Sequence, residues 1–235
     1  MLNATNFGVR LRPVQALTIQ LGGEIGRANR PFTPVAPRNY HALNGRINYR
    51  TRNFQLTATS NTDYNTNSVT LSSYSSHSRR YAVDGSWTPR AWFSLDAGYS
   101  KMHLETVGGI AYVVAGVLNK GDSSFYFSNL HTVYSGIRFA YKDRADLYVG
   151  LTHVQDTGDG RATAAGAGIG SARSVFQVVQ TFPVLFESPV ARVSVKMVNR
   201  LRWNAGYQYY GYHQDFTSNL NYQANTGYTS LSYSF

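Results

Sequence analysis

The chain has 235 residues, of which 14% are charged and 14% aromatic, and it holds 18 tyrosines and 21 glycines. Soluble domains average ~25% charged residues, so this balance, with Ser, Thr, Asn, Gln and Gly making up the difference, speaks against a soluble helical enzyme. The net charge of +10 comes from Arg and Lys spread singly along the chain, which is not the clustered footprint of a nucleic-acid binder, and the absence of cysteine rules out disulfides, zinc–thiolate sites and thiol nucleophiles. The longest uncharged apolar run, 107–118, falls short of the ~20 residues that a membrane-spanning helix needs. The first residues, MLNATNFGVRLRP, lack the basic start, apolar run and small-residue cleavage site of a secretory signal.

In chain order, five places repeat one local design, in which two alternating segments flank a tight connection. Arg12-Pro13-Val14-Gln15 separates FGVRL from LTIQLGGEIG, and Thr51-Arg52-Asn53 separates YHALNGRINYR from FQLTATSN. Pro89-Arg90-Ala91-Trp92, Lys142-Asp143-Arg144-Ala145 and Val198-Asn199-Arg200 do the same further on. Connections of two to four residues between alternating segments predict β-hairpins. Between the hairpins lie longer stretches, at 29–39, 64–77, 105–128, 157–189 and 213–220, rich in Gly, Pro, Ser, Thr and Asn. Short and long connections in strict alternation are the pattern of a transmembrane barrel, with short periplasmic turns and longer outer loops.

Side chains alternate along a strand, so each segment can be divided into two faces. Leu201, Trp203, Ala205, Tyr207 and Tyr209 share one face of their segment, and Arg202, Asn204, Gln208 and Tyr210 the other. Phe93, Leu95, Ala97 and Tyr99 oppose Ser94 and Asp96; Leu17, Ile19, Leu21 and Ile25 oppose Thr18, Gln20 and Glu24. A lipid-facing charge costs ~2–4 kcal/mol near the bilayer midplane, so a barrel turns its charges inward. The candidate lumen-lining residues are Arg10, Arg12, Glu24, Arg46, Arg50, Arg80, Asp84, Asp96, Arg138, Asp146, Arg192, Lys196 and Arg202. Two roles stay open for them: a cationic interior that favours anions or an acidic protein, or cross-strand ion pairs that neutralise and stiffen the wall. Trp87, Trp92, Phe93, Tyr141, Trp203 and Phe235 lie beside the short turns, where an interfacial aromatic girdle belongs.

The last segment, NYQANTGYTSLSYSF, places Leu231, Tyr233 and Phe235 on one side and Tyr228, Ser230 and Ser232 on the other. Its aromatic final residue, preceded by aromatic and apolar residues at alternate positions, resembles the terminal strand by which bacterial outer-membrane proteins are recognised for insertion. That resemblance implies a location in the bacterial outer membrane, contact with its lipid, and an encounter with the barrel-assembly machinery through Leu231, Tyr233 and Phe235. The expected fold is all-β: an antiparallel up-and-down transmembrane β-barrel with about eleven strands, forming one domain over 1–235. An odd count whose first strand starts outside departs from the even-numbered bacterial pattern. The chain therefore looks like the carboxy-terminal portion of a larger barrel, with Met1 an internal or misassigned start.

Little in the sequence carries chemistry. The six histidines show no metal-ligand spacing, although His103, His131 and His153 fall on neighbouring strands near the outer rim. Gly166-Ala167-Gly168-Ile169-Gly170-Ser171 lacks the spacing and setting of a dinucleotide fingerprint. Asp156-Thr157-Gly158-Asp159-Gly160 reads as a turn rather than a calcium loop. No nucleophile elbow is present, so no enzyme, cofactor or metal is expected. Two apolar stretches inside long connections, GGIAYVVAGVL and VFQVVQTFPVLF, leave several courses open: an inward fold, a partner contact, or simple extension of the flanking strands.

The hairpins SWTPRAWFSLDAGYS and AYKDRADLYVGLTHV, with the segment NRLRWNAGYQYYGYH, resemble the MtrB/PioB-type barrels that associate with decahaem cytochromes. The resemblance covers hairpin texture and implies a sheath around a multihaem electron carrier, with no redox group of its own. The expected function is a non-enzymatic conduit, either a porin-like channel or such a sheath. The alternatives are the barrel end of a TonB-dependent receptor and a soluble all-β binding domain.

Overall fold

The computed structural model describes residues 2–29, 38–67, 72–120, 124–158, 184–214 and 218–233. These form strands β1 (Leu2–Val14), β2 (Leu17–Ala28), β3 (Asn39–Arg50), β4 (Phe54–Thr66), β5 (Ser72–Arg90), β6 (Phe93–Val114), β7 (Val117–Lys120), β8 (Ser124–Tyr141), β9 (Ala145–Asp156), β10 (Val184–Val198), β11 (Leu201–Gln214) and β12 (Tyr222–Tyr233). One 3-10 turn, Ser218–Leu220, precedes β12, and there is no α-helix among the described residues.

Each strand pairs with the next in the order β1-β2-β3-β4-β5-β6-β8-β9-β10-β11-β12, while β7 pairs with β6 alone. All pairings are antiparallel, so eleven strands run up and down and β7 closes a hairpin on the far end of β6. The sheet is open, with β1 and β12 as its edges. The five short turns lie at one end of the sheet and the long connections at the other.

Directly opposed residues of an antiparallel pair share a face, so the register carries one face across the whole sheet. Ile19 faces Ile47, Ile47 faces Ala58, Ala58 faces Val83, Val83 faces Tyr99 and Tyr99 faces Val133. Nearer the turns on the same face, Phe139 faces Leu147, and Val193, Ala205 and Thr229 carry that row on to β12. These side chains are not packed under a second layer. Leu21 is 56% exposed, Ile25 61% and Leu231 63%, and among the described residues the only buried hydrophobic is Ala28. A soluble sandwich buries this face between two sheets, so the sandwich reading fails.

At the short-turn end the same face carries packed rings. Phe93 lies 5.3 Å from Phe139, 5.8 Å from Trp92 and 6.1 Å from Trp87, centroid to centroid. Tyr49 and Phe54 meet across the 51–53 turn. These are offset and edge contacts of the kind that aromatic pairs prefer, and they form the girdle expected beside the turns.

The structure corrects the expected turns. Pro13 and Pro89 lie inside β1 and β5, at register shifts between Leu11 and Val14 and between Trp87 and Arg90. A bulge accommodates a residue that cannot donate to the ladder, so the first and third turns shorten to 15–16 and 91–92. The strands also run past the expected 9–11 residues: β5 has 19, β6 has 22 and β8 has 18. The 64–77 and 105–128 connections are therefore mostly strand. GGIAYVVAGVL extends β6 into the β7 hairpin and turns at Ala115 and Gly116, whose φ values of 49° and 77° suit a tight primed hairpin turn. Of VFQVVQTFPVLF, Val184–Phe186 begin β10 and the rest lies outside the described residues.

On the opposite, polar face, tyrosine rings cover glycines of their own and adjacent strands. Tyr134 covers Gly98, where a Cβ would overlap the ring, and the Tyr148 hydroxyl sits 2.6 Å and 2.7 Å from where Cβ atoms of Gly136 and Gly150 would stand. The glycines are thus fixed by close approach. At Gly85 an added Cβ meets only ordinary contacts, the nearest at 3.7 Å. Gly98→Ala is expected to lower unfolding stability in lipid vesicles by about 1–3 kcal/mol through overpacking, while Gly85→Ala leaves it nearly unchanged. Urea titration of the two variants checks this.

Candidate functional site

The polar face gathers the candidate lumen-lining side chains. Gln20 faces Arg46, Asn61 faces Arg80, Thr57 faces Asp84, Ser86 faces Asp96 and Ser94 faces Arg138. Ala140 faces Asp146, Tyr148 faces Arg192 and Lys196 faces Arg202. Arg10, opposite Gln20, Glu24, opposite Ala42, and Arg50, opposite Gln55, lie on the same face. Arg12 follows Arg10 by two residues but enters the bulge, and its guanidinium donates to the Gln15 carbonyl at 3.0 Å. All thirteen thus fall on one face or at its turn-end margin, opposite the leucines. Two carboxylates outside the candidate set join them, Asp63 opposite Ala42 and Asp156, expected in a turn, opposite Leu130; both alternate correctly in their segments, which is the signal that finds them.

The carboxylates on this face are held mainly by neutral donors. The Tyr134 hydroxyl donates to Asp84 at 2.7 Å across the hollow above Gly98, and the Tyr40 hydroxyl donates to Glu24. Asp156 accepts from Ser128 at 2.6 Å, from the Asn129 amide at 2.9 Å and from the Gly158 amide at 2.7 Å, a turn anchor rather than a cation loop; Asp159 and Gly160 lie outside the described residues. Asp146 alone among them pairs with an arginine, Arg138, at 2.5 Å and 2.6 Å. Among the described residues Arg10, Arg46, Arg50, Arg80 and Arg192 make no ion pair. Arg46 instead donates to Asn48 at 3.1 Å.

Towards β12 the face becomes a polar ladder. Arg202 donates to Ser194 at 3.1 Å, Ser194 to Asn204 at 2.6 Å and Asn204 to Ser232 at 2.9 Å. A concavity of about 700 Å³ lies here, lined by Arg138, Asp146, Tyr148, Arg192, Asn204 and Gln208 among others. At the turn end, Lys196 donates to Asp143 at 2.7 Å and Arg202 donates to the Asp143 carbonyl at 2.8 Å, tying the 142–144 turn to β10 and β11.

Other candidates separate from this face. His103, His131 and His153 stand on three adjacent strands, β6, β8 and β9, but on the apolar face and staggered by two residues. No group of three His, Asp or Glu residues placed to share a metal occurs among the described residues. Leu231 and Tyr233 are exposed on the apolar face, opposite Trp203 and Leu201. Phe235, like the Gly166–Ser171 stretch, lies outside the described residues.

No protein-family model and no curated protein sequence matches the chain. Solved structures do. The ferric preacinetobactin receptor BauA of Acinetobacter baumannii superposes on 98% of this chain with a TM-score of 0.64 at 6% identity. The alcaligin outer-membrane receptor FauA of Bordetella pertussis superposes on 99% with a TM-score of 0.61 at 13% identity. The fold is that of an outer-membrane β-barrel. Together with its bare apolar face, that fold places the chain in the bacterial outer membrane, with the aromatic girdle at one interface. The chain spans 42% of the first receptor and 38% of the second, about two-fifths of each.

The turn pair gives a pH signature. Hydrogen bonding from Lys196, reinforced by its charge, holds the Asp143 carboxyl below its ordinary value of 3.8. A depressed native pKa contributes stability above the unfolded value, and that contribution is lost as pH falls through the native one. Carboxyl chemical-shift titration is expected to place the Asp143 midpoint below 3.8 and to move it back towards 3.8 in Lys196→Met. A second test addresses the membrane. Val149→Arg on the apolar face is expected to cost ~2–4 kcal/mol in vesicles, and Thr152→Arg on the polar face far less.

Proposed function

We propose that this chain forms wall of a non-enzymatic outer-membrane conduit whose lumen is lined by the polar face and favours anionic solutes or an acidic partner. The observation that carries the reading is the unequal pairing of charge. Glu24 and Asp84 are satisfied by tyrosine hydroxyls, which leaves Arg46, Arg80 and Arg192 without a carboxylate partner among the described residues. Fixed cations facing water-filled space set up a positive potential, and inside a low-dielectric wall that potential is focused rather than screened. Among the described residues, the neutralising ladder that the same residues allow is limited to Arg138 with Asp146 on the strands and Lys196 with Asp143 at the turn.

Closure supports a wider structure than eleven strands. The first and last crossing strands of an odd antiparallel set run in the same direction, so β1 and β12 would meet as a parallel seam. An odd number of additional strands restores an antiparallel ring and satisfies both edges, as hydrocarbon demands. In such a ring the thirteen candidate residues line the interior. A sheath around an acidic electron carrier, such as a multihaem cytochrome, would use the same wall. A gated receptor is the second reading, favoured by the superposition of nearly the whole chain on two receptors; its lumen would stay shut to ions.

Planar-bilayer recording under a KCl gradient separates these. A conduit of this kind shows a reversal potential on the anion-selective side, and Arg80→Glu with Arg192→Glu moves it towards cations. Conductance with cation preference in the unaltered protein would sink the proposed selectivity, and silence with tight binding of a ferric chelate would favour the receptor.

A further inference from the structure

All six histidines of the chain stand on the apolar face at the end away from the short turns. Ile25 faces His41, His77 faces Glu105, Arg79 faces His103, Lys101 faces His131, Val133 faces His153 and Leu185 faces His213. They fall in one band across the sheet, His103, His131 and His153 staggered by two residues. His131 is eight residues along its strand from Phe139, and His103 is ten from Phe93. At ~3.3 Å per residue and a tilt of roughly 40°, that is about 20–25 Å above the aromatic girdle. An outer-membrane barrel has an apolar band ~25 Å tall, so the histidines lie where hydrocarbon gives way to headgroups.

The band is densest on β5, β6 and β8, where Arg79, Lys101, His103 and His131 form two adjacent cross-strand pairs with no carboxylate between them. Arg79 is exposed and the other three are half-buried. Arg79 donates to His77 at 3.1 Å, and the Tyr99 hydroxyl and His131 Nδ1 lie 2.8 Å apart. Neither Arg79 nor Lys101 makes an ion pair among the described residues. Below this row, every remaining strand position on the apolar face of β6 is uncharged: Tyr99, Ala97, Leu95 and Phe93. Two carboxylates flank the row on the same face, Glu105 opposite His77 and Glu187 at 3.1 Å from His153.

We propose that Arg79, Lys101, His103 and His131 form a binding site on the outside of the barrel for the phosphorylated headgroup of an outer-leaflet lipid. Cations at headgroup height are not merely tolerated. Each Lys or Arg near an anionic lipid surface adds to the attraction, and a guanidinium beside an ammonium offers a planar fork and a point charge to one phosphate. Tyr81 and Tyr99, one step nearer the midplane on the same strands, supply the amphipathic ledge on which an acyl chain enters. The site rests on the apolar face meeting lipid with the long connections outward, and it is independent of what passes through the lumen.

The test uses the whole protein refolded into phosphatidylcholine vesicles, with insertion read by heat-modifiable gel mobility, then extracted in detergent for native mass spectrometry with bis-phosphorylated lipid A. The expected result is discrete bound lipid A, about tenfold weaker in the Arg79→Gln, Lys101→Gln double variant, and little binding of lipid A stripped of its phosphates. Equal binding of the stripped lipid, or unchanged affinity in the double variant, overturns the site. Competition by millimolar inorganic phosphate assigns it to free anion and overturns the lipid. If the double variant does not insert, His103→Gln with His131→Gln is scored on the same scale. Failure of the unaltered protein to insert at all removes the barrel reading and this site together; insertion without phosphate selectivity removes only the site.

Discussion

In hydrocarbon, a backbone N–H or C=O without a partner costs several kcal/mol, because no water is present to accept or donate. That constraint decides this molecule. It rules out irregular backbone in lipid, it makes each strand pair with the next, and it leaves β1 and β12 as the two edges of the sheet. The side-chain pattern follows from it. Once every strand is flat against its neighbours, the only freedom left is which face meets lipid, and one residue of register slip would put Arg46, Arg80 and Arg192 into oil. The register is therefore fixed by charge as much as by apolar attraction.

A wall one strand thick has no core in the ordinary sense, and among the described residues the hydrophobic interior amounts to Ala28. Rigidity comes from two surface devices instead. On the lipid side, rings gather at the turn end, where Trp87, Trp92, Phe93 and Phe139 contact one another across β5, β6 and β8. On the polar side, tyrosines lie over glycines one strand away, as Tyr134 does over Gly98 and Tyr228 over Gly206. The glycines are a concession in strand propensity, offset by ring contact and by hydroxyls that reach carboxylates two strands away, as Tyr134 reaches Asp84.

Much of this was legible in the sequence because a period of two needs no tertiary information. Leu201, Trp203 and Ala205 against Arg202 and Asn204 can be read from eleven letters, and the coordinates keep that division. Three things were not legible. Pro13 and Pro89 signal a turn by propensity, yet a bulge at a strand end accommodates them equally well. The apolar stretch from Gly108 onward reads as an odd loop because nothing local says that β6 continues past the bilayer. Partner choice was hidden too: alternation puts Asp84 and Arg80 on one face, but only the register shows that a tyrosine fifty residues away takes the carboxylate.

That last choice bears on why tyrosine is so abundant here. A carboxylate satisfied by arginine cancels two charges and leaves a neutral wall, whereas one satisfied by a phenol keeps its own charge and leaves the arginines theirs. Were Glu24 and Asp84 bound to Arg46 and Arg80, the polar face would hold matched pairs with weak reach into the lumen. With the phenols of Tyr40 and Tyr134 in place, both acids are satisfied by neutral donors, and Arg46 and Arg80 make no ion pair among the described residues. In the proposed conduit an ion would then meet guanidinium charge that no acid cancels by contact, so the pairing of the charges, as much as their sum, would set the field at the wall.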